Sequence, residues 1–96
     1  MIPGTVTKIS EQVLASAATI YPKTDMVLLS GSTAIATIVP DFGGGFSGVL
    51  FLVPTAGTLG LLTTGNIAIA VTMAQNRVTV LTYSKKNNVW YPGAIS

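Results

Sequence analysis

The sequence predicts an all-β domain, an antiparallel β-sandwich of jelly-roll type with about seven or eight strands. Three observations point there. Apolar residues alternate with a period of two, while a helical period is hardly present. Turn residues recur about every 8–12 positions, the spacing of sandwiches and barrels. The strand-like runs are rich in Val, Ile and Thr, which suit a pleated, half-buried surface. The 96 residues are the length of one compact domain. Residues 26–96 are expected to form the sandwich, and residues 1–25 to be an N-terminal arm or an edge strand.

Taken in chain order, Thr5 to Ile9 alternates in strand fashion. Glu11 to Ala18 holds helix formers but is too short to be a stable helix alone. Met26 to Ser30 and Thr33 to Val39 flank Gly31-Ser32, which predicts a hairpin with a two-residue loop. Pro40-Asp41 ends it, and a glycine-rich loop runs from Phe42 to Gly48. Val49 to Val53 is apolar at every position, as in a strand covered on both faces. Pro54 to Gly57 breaks that strand, and Leu59 to Leu62 is a short strand or a tucked loop. Ile67 to Met73 and Arg77 to Tyr83 are expected strands joined at Gln75-Asn76. Ser84 to Asn88 is a polar turn, and Val89-Trp90-Tyr91 closes the domain at Pro92-Gly93. The expected core is Val27, Leu29, Ile35, Val49, Phe51, Val53, Ile67, Ile69, Val71, Val78, Val80 and Trp90.

Composition narrows the function classes. Hydrophobic residues make up 49% of the chain and charged residues 8%, against about 25% charged in an average soluble domain. A membrane-spanning helix is not expected, because it needs about 20 consecutive apolar residues and Pro54, Gly57, Gly60 and Gly65 interrupt the apolar runs. Met1-Ile2-Pro3-Gly4 lacks a basic leader pattern, so no secretory signal is expected. The remaining cause is a surface covered by other subunits. The chain is therefore expected to be a homo-oligomer, with small-residue faces at Ala34 and Ala36 or at Ala68, Ala70 and Thr72 allowing close approach. The net charge of +2 has its one basic cluster at Lys85-Lys86, which reads as a solvated turn and predicts no nucleic-acid partner.

Catalysis is not expected. The chain has neither histidine nor cysteine, and Glu11, Asp25 and Asp41 are scattered, so the usual acid, base and thiolate groups are missing. No small-molecule substrate, cofactor or metal is expected either, since the three carboxylates do not cluster. Gly43, Gly45 and Gly48 match a GxGxxG spacing, yet an apolar strand follows where a dinucleotide site requires a helix. Trp90 and Tyr91 read either as a sugar-binding or partner-binding platform, or as residues of a subunit interface or of the end of a core with polar tips outward.

The stretch Phe46-Ser47-Gly48-Val49-Leu50-Phe51-Leu52-Val53-Pro54 leads into Thr63-Thr64-Gly65-Asn66-Ile67-Ala68-Ile69-Ala70. Arg77-Val78-Thr79-Val80-Leu81-Thr82-Tyr83 follows, and Val89-Trp90-Tyr91-Pro92 ends the pattern. Over residues 27 to 92 this order resembles small β-modules of tailed-phage virion proteins. Gly43-Gly44-Gly45 and Lys85-Lys86-Asn87-Asn88 depart from that pattern, the latter replacing an Asp-Gly turn before the Trp. The resemblance implies a capsid decoration (cement) protein on the outside of the virion, stabilising the head shell. The alternative it implies is a receptor-binding tip or tail-fibre module contacting a host glycan or protein. It further implies a homotrimer, matching virion threefold symmetry, with the major capsid protein as partner. Docking is then expected through the N-terminal arm, by way of Ile2, Val6, Ile9, Val13 and Leu14. Ala68, Ala70, Trp90 and Tyr91 are the expected oligomer or partner surface.

Overall fold

The computed structural model describes residues 10–40 and 47–93. Among these the chain is all-β without a helix, and its strands form sheets of five, two and two. The large sheet has the order β1 (Glu11–Ala15), β3 (Met26–Ser30), β5 (Gly48–Pro54), β8 (Thr79–Ser84), β9 (Val89–Pro92). The small sheets pair β2 (Thr19–Ile20) with β4 (Thr37–Ile38), and β6 (Leu59–Leu61) with β7 (Val71–Met73). Ile35 bridges in parallel to Leu61 of β6. Ile20, Ile35, Ile38, Leu59, Leu61 and Met73 join Val27, Leu29, Leu50, Leu52, Leu81, Tyr83 and Trp90 of the large sheet in one hydrophobic cluster.

The expected antiparallel arrangement needs correction. The large sheet is mixed: β1 runs parallel to β3 and β3 parallel to β5, while β5, β8 and β9 are antiparallel. The two-membered sheet β2–β4 is also parallel. The first half of the chain therefore winds. It passes from β1 through β2 to β3, then through β4 to β5, contributing a strand to the large sheet and one to the small sheet on each circuit. Parallel neighbours require such crossovers, because a tight turn cannot join them.

This winding also replaces the expected hairpin over 26–39. Both flanks of β3 are occupied, by β1 and β5, so residues 33–39 have no place beside it and pair instead with β2 and β6. Gly31 turns the chain out of the sheet at φ 78°, a left-handed conformation that glycine adopts without steric cost. The Thr33 N–H then donates to the Ser16 hydroxyl at 3.0 Å, which ties the two crossovers together. Glu11 to Ala15 is a strand because its alternate residues Gln12 and Leu14 are half-buried while Glu11, Val13 and Ala15 are exposed.

Two strands face the opposite way from the expected core. In β5 the buried residues are Leu50, Leu52, Val53 and Pro54, while Val49 is 49% exposed and Phe51 half-buried. In β8 the inward residues are Thr79, Leu81 and Tyr83, with Val80 half-buried; Val78, just before the strand, is 45% exposed. The register is self-consistent, since Leu50 lies opposite Leu81 and Phe51 opposite Val80. A run apolar at every position carries no parity of its own: Leu50 and Leu52 take the inner face although Phe51, on the outer one, is larger. Ile69 is 57% exposed because β7 begins only at Val71, which is half-buried. Val27, Leu29, Ile35, Val53, Ile67 and Trp90 are buried as expected.

Trp90 is held by an asparagine that stands in for a strand. The Asn66 carboxamide accepts from the Ile38 N–H at 2.8 Å and donates to the Ile38 carbonyl at 2.7 Å. The same carbonyl accepts from the Trp90 indole N–H at 3.0 Å. The Trp90 N–H donates to the Asn66 carbonyl at 2.8 Å, and the Ala68 N–H to the Trp90 carbonyl at 2.9 Å. Gly65 allows this approach: a Cβ there would run into the Ala36 backbone and the Thr37 hydroxyl. The segment Gly65-Asn66-Ile67-Ala68 thus extends the large sheet past β9, with Ile67 in a parallel bridge to Trp90.

Candidate functional site

The large sheet has two faces of different use. Its inner face carries the core. On its outer face the strand registers assemble rows of residues, because every second side chain points the same way. One row runs Val13, Leu28, Val53 and, just before β8, Val78; a second runs Glu11, Met26, Phe51 and Val80; a third runs Val49, Thr82 and Tyr91. Nine of these eleven side chains are aliphatic, aromatic or methionine. Val13, at 67%, and Val49, Val78 and Tyr91 are exposed. Met26, Leu28, Phe51 and Val80 are half-buried, and Val53 is buried although it stands on this side of the sheet. A solvated sheet face is ordinarily polar, and this one is mostly apolar among the described residues.

Sequence reasoning did not find the rows formed by Met26, Leu28, Phe51 and Val80 as a surface. The signal was present. Met26 to Leu29 and Val49 to Val53 are apolar at every position, and two such strands side by side make both faces of a sheet apolar.

The N-terminal candidates separate. Ile2, Val6 and Ile9 lie outside the described residues, as does the strand expected over Thr5 to Ile9. Val13 stands on the outer face of β1. Leu14 turns the other way and packs, half-buried, against the core cluster. Of the second group, Ala68 and Ala70 are exposed on the irregular segment before β7. Trp90 and Tyr91 point to opposite faces of β9. Trp90 is buried, with its ring centroid 5.0 Å from that of Tyr83, so it is a core residue and offers no open stacking face. Tyr91 joins the outer face, its hydroxyl accepting from the Asn87 amide at 2.8 Å.

A shallow cleft of about 220 Å³ is lined by Pro22, Lys23, Thr24, Asp25, Pro40, Val49, Leu50 and Trp90. That is below the roughly 300–1,000 Å³ of usual small-molecule sites. Among the described residues no three His, Cys, Asp or Glu side chains come together as a metal site. No helix there is long and apolar enough to cross a membrane. Gly43 and Gly45 lie outside the described residues, and Gly48 opens a strand, β5, where a dinucleotide loop would open a helix.

Comparison with known protein families, with characterised proteins and with solved structures finds no match for this chain.

Proposed function

We propose that the protein is a non-catalytic structural module, a decoration protein of a viral head, which binds a larger protein shell from outside and associates with copies of itself. The observation that carries the binding role is the apolar outer face of the five-stranded sheet. Burying it on a shell would remove the half-exposed Met26, Leu28, Phe51 and Val80 and the exposed Val13, Val49, Val78 and Tyr91 from water. Apolar burial of this kind drives most protein association. The viral setting comes from the resemblance over residues 27 to 92. The two-layer arrangement, with the small sheets covering the inner face of the large one, is read as a sandwich. In this reading docking uses the outer sheet face, with Val13 as the contribution of the N-terminal region.

The test is co-sedimentation of the purified protein with viral heads stripped of their decoration protein, followed by electron microscopy of the complex. Binding is expected in regular positions on the head exterior. A Val49→Lys, Tyr91→Lys variant should remain folded and stay in the supernatant. Heads that take up neither protein, or both equally, would refute the proposed surface.

A further inference from the structure

We infer that β1 is a self-pairing edge: two copies of the chain join antiparallel through Glu11, Val13 and Ala15 across a twofold axis at Val13. This goes beyond the shell-binding reading and uses an edge that the shell-binding face leaves free.

The two edges of the large sheet differ. At β9, the Asn66–Ala68 segment takes the outward N–H and carbonyl of Trp90. At β1 the inward side is fixed by its bonds to β3. The Met26 N–H donates to the Ser10 carbonyl at 3.0 Å, and the Ser16 N–H donates to the Ser30 carbonyl at 2.8 Å. In a parallel pair, alternate residues turn their backbone groups to the neighbour. Ser10, Gln12, Leu14 and Ser16 therefore face β3, and Glu11, Val13 and Ala15 direct their N–H and carbonyl groups away from the sheet. Among the described residues no strand pairs with that side. It also lacks the Lys and Pro residues that ordinarily blunt an edge.

The occupant follows from the residues on that edge. An antiparallel pair centred on Val13 sets Val13 opposite its symmetry mate, exchanging two backbone hydrogen bonds. Glu11 then falls opposite Ala15 of the other copy, and Ala15 opposite the other Glu11. The pattern is self-complementary, as a twofold contact requires. A parallel, in-register pair would instead bring the two Glu11 carboxylates together, and like charges directly opposite are destabilising. The twofold also makes the row Val13, Leu28, Val53 continuous with its mate, so the apolar outer face runs on across the contact. A strand of this length spans about 17 Å. Such an edge is smaller than a standard interface, so the dimer should be weak and dissociate on dilution.

Charge substitutions at exposed Ala15 test this without touching the core. Sedimentation velocity of the full chain at low salt, across a wide concentration range, should show a mass that rises toward twice the 9.9 kDa of one chain. Ala15→Glu places a carboxylate opposite Glu11 and should weaken the dimer several-fold. Ala15→Lys should tighten it several-fold, and Glu11→Lys combined with Ala15→Glu should restore it. Val13→Pro removes an outward N–H while leaving the bonds to β3, and should abolish pairing in a folded chain. A protein that is monomeric at every concentration overturns the inference together with the proposed self-association. An oligomer, trimer included, whose mass ignores all four variants overturns the β1 edge alone and leaves the shell-binding surface standing.

Discussion

The two edges of the five-stranded sheet are built from the same chain by different means. At β9 the neighbour is not a strand but an asparagine-centred turn, which meets Ile38 and Trp90 through four hydrogen bonds between 2.7 and 2.9 Å. At β1 the neighbour is a regular parallel strand on one side, and the described residues supply nothing on the other. A sealed edge concentrates stability in a few buried polar groups. An open edge keeps little stability and offers backbone groups for association. Substitutions in the seal itself, at Trp90 and Asn66, should therefore destabilise the fold, and substitutions at β1 should alter its assembly.

The largest effect is expected at Trp90. Trp90→Ala removes the largest fully buried side chain and its indole bond to Ile38. A loss of about 3–5 kcal/mol is expected from the cavity alone, measured as a fall in the urea midpoint. A loss below about 1 kcal/mol would mean that the β9 edge is not the stabilising one.

Asn66→Ala comes next. It leaves both the N–H and the carbonyl of fully buried Ile38 short of a partner. The carbonyl keeps the Trp90 indole, so the N–H bears most of the cost, about 2 kcal/mol. Gln at this position should not rescue, because the longer side chain cannot present both groups to one residue at the same backbone spacing.

How much of this was legible in the sequence differs by region. The all-β class and the buried positions of Val27, Leu29, Ile35 and Ile67 follow from alternation and β-branched residues. The parity of β5 and β8 did not, since Val49 to Val53 reads equally well in either orientation until Leu81 and Tyr83 fix the partner face. The parallel winding did not either. Pairing between β1 and β3 joins residues fifteen apart, as Glu11 with Met26, and a local reading of Gly31-Ser32 favours the hairpin that the occupied flanks of β3 exclude. Thr64-Gly65-Asn66 read as a turn, which it is, but the carboxamide's service to Ile38 lies 28 positions away and leaves no local trace. The outer face was visible only as an excess of apolar residues over what one core requires.

A matched pair of prolines sharpens the comparison of the edges. Ala68→Pro deletes the N–H that donates to the Trp90 carbonyl at 2.9 Å, and a loss of about 1–3 kcal/mol is expected. Val13→Pro deletes an N–H that faces away from β3, a strand position where proline is tolerated. Its cost should stay under about 1 kcal/mol. Equal losses in urea unfolding, measured at a dilution where the dimer is dissociated, would show that β1 is paired on both sides within one chain.

The smallest effect on stability is expected on the outer face, between the two edges. Val49 and Tyr91 are exposed there, so replacing them with lysine removes little buried area and leaves no core polar group unpaired. The change in unfolding free energy should lie within about 0.5 kcal/mol. Tyr91 gives up only its exposed bond from Asn87, and Val49 faces Thr82 across the strand pair, where lysine brings no like charge. Solubility should rise instead, because two charges interrupt an apolar surface on a chain with few charges. The same double variant is the one that should fail to bind viral heads, so its unfolding curve decides what that failure means. An unchanged curve with lost binding assigns the face to a partner. A large loss of stability would show that these side chains are needed to hold β5, β8 and β9 together, and the outer face would then be part of the fold's own structure.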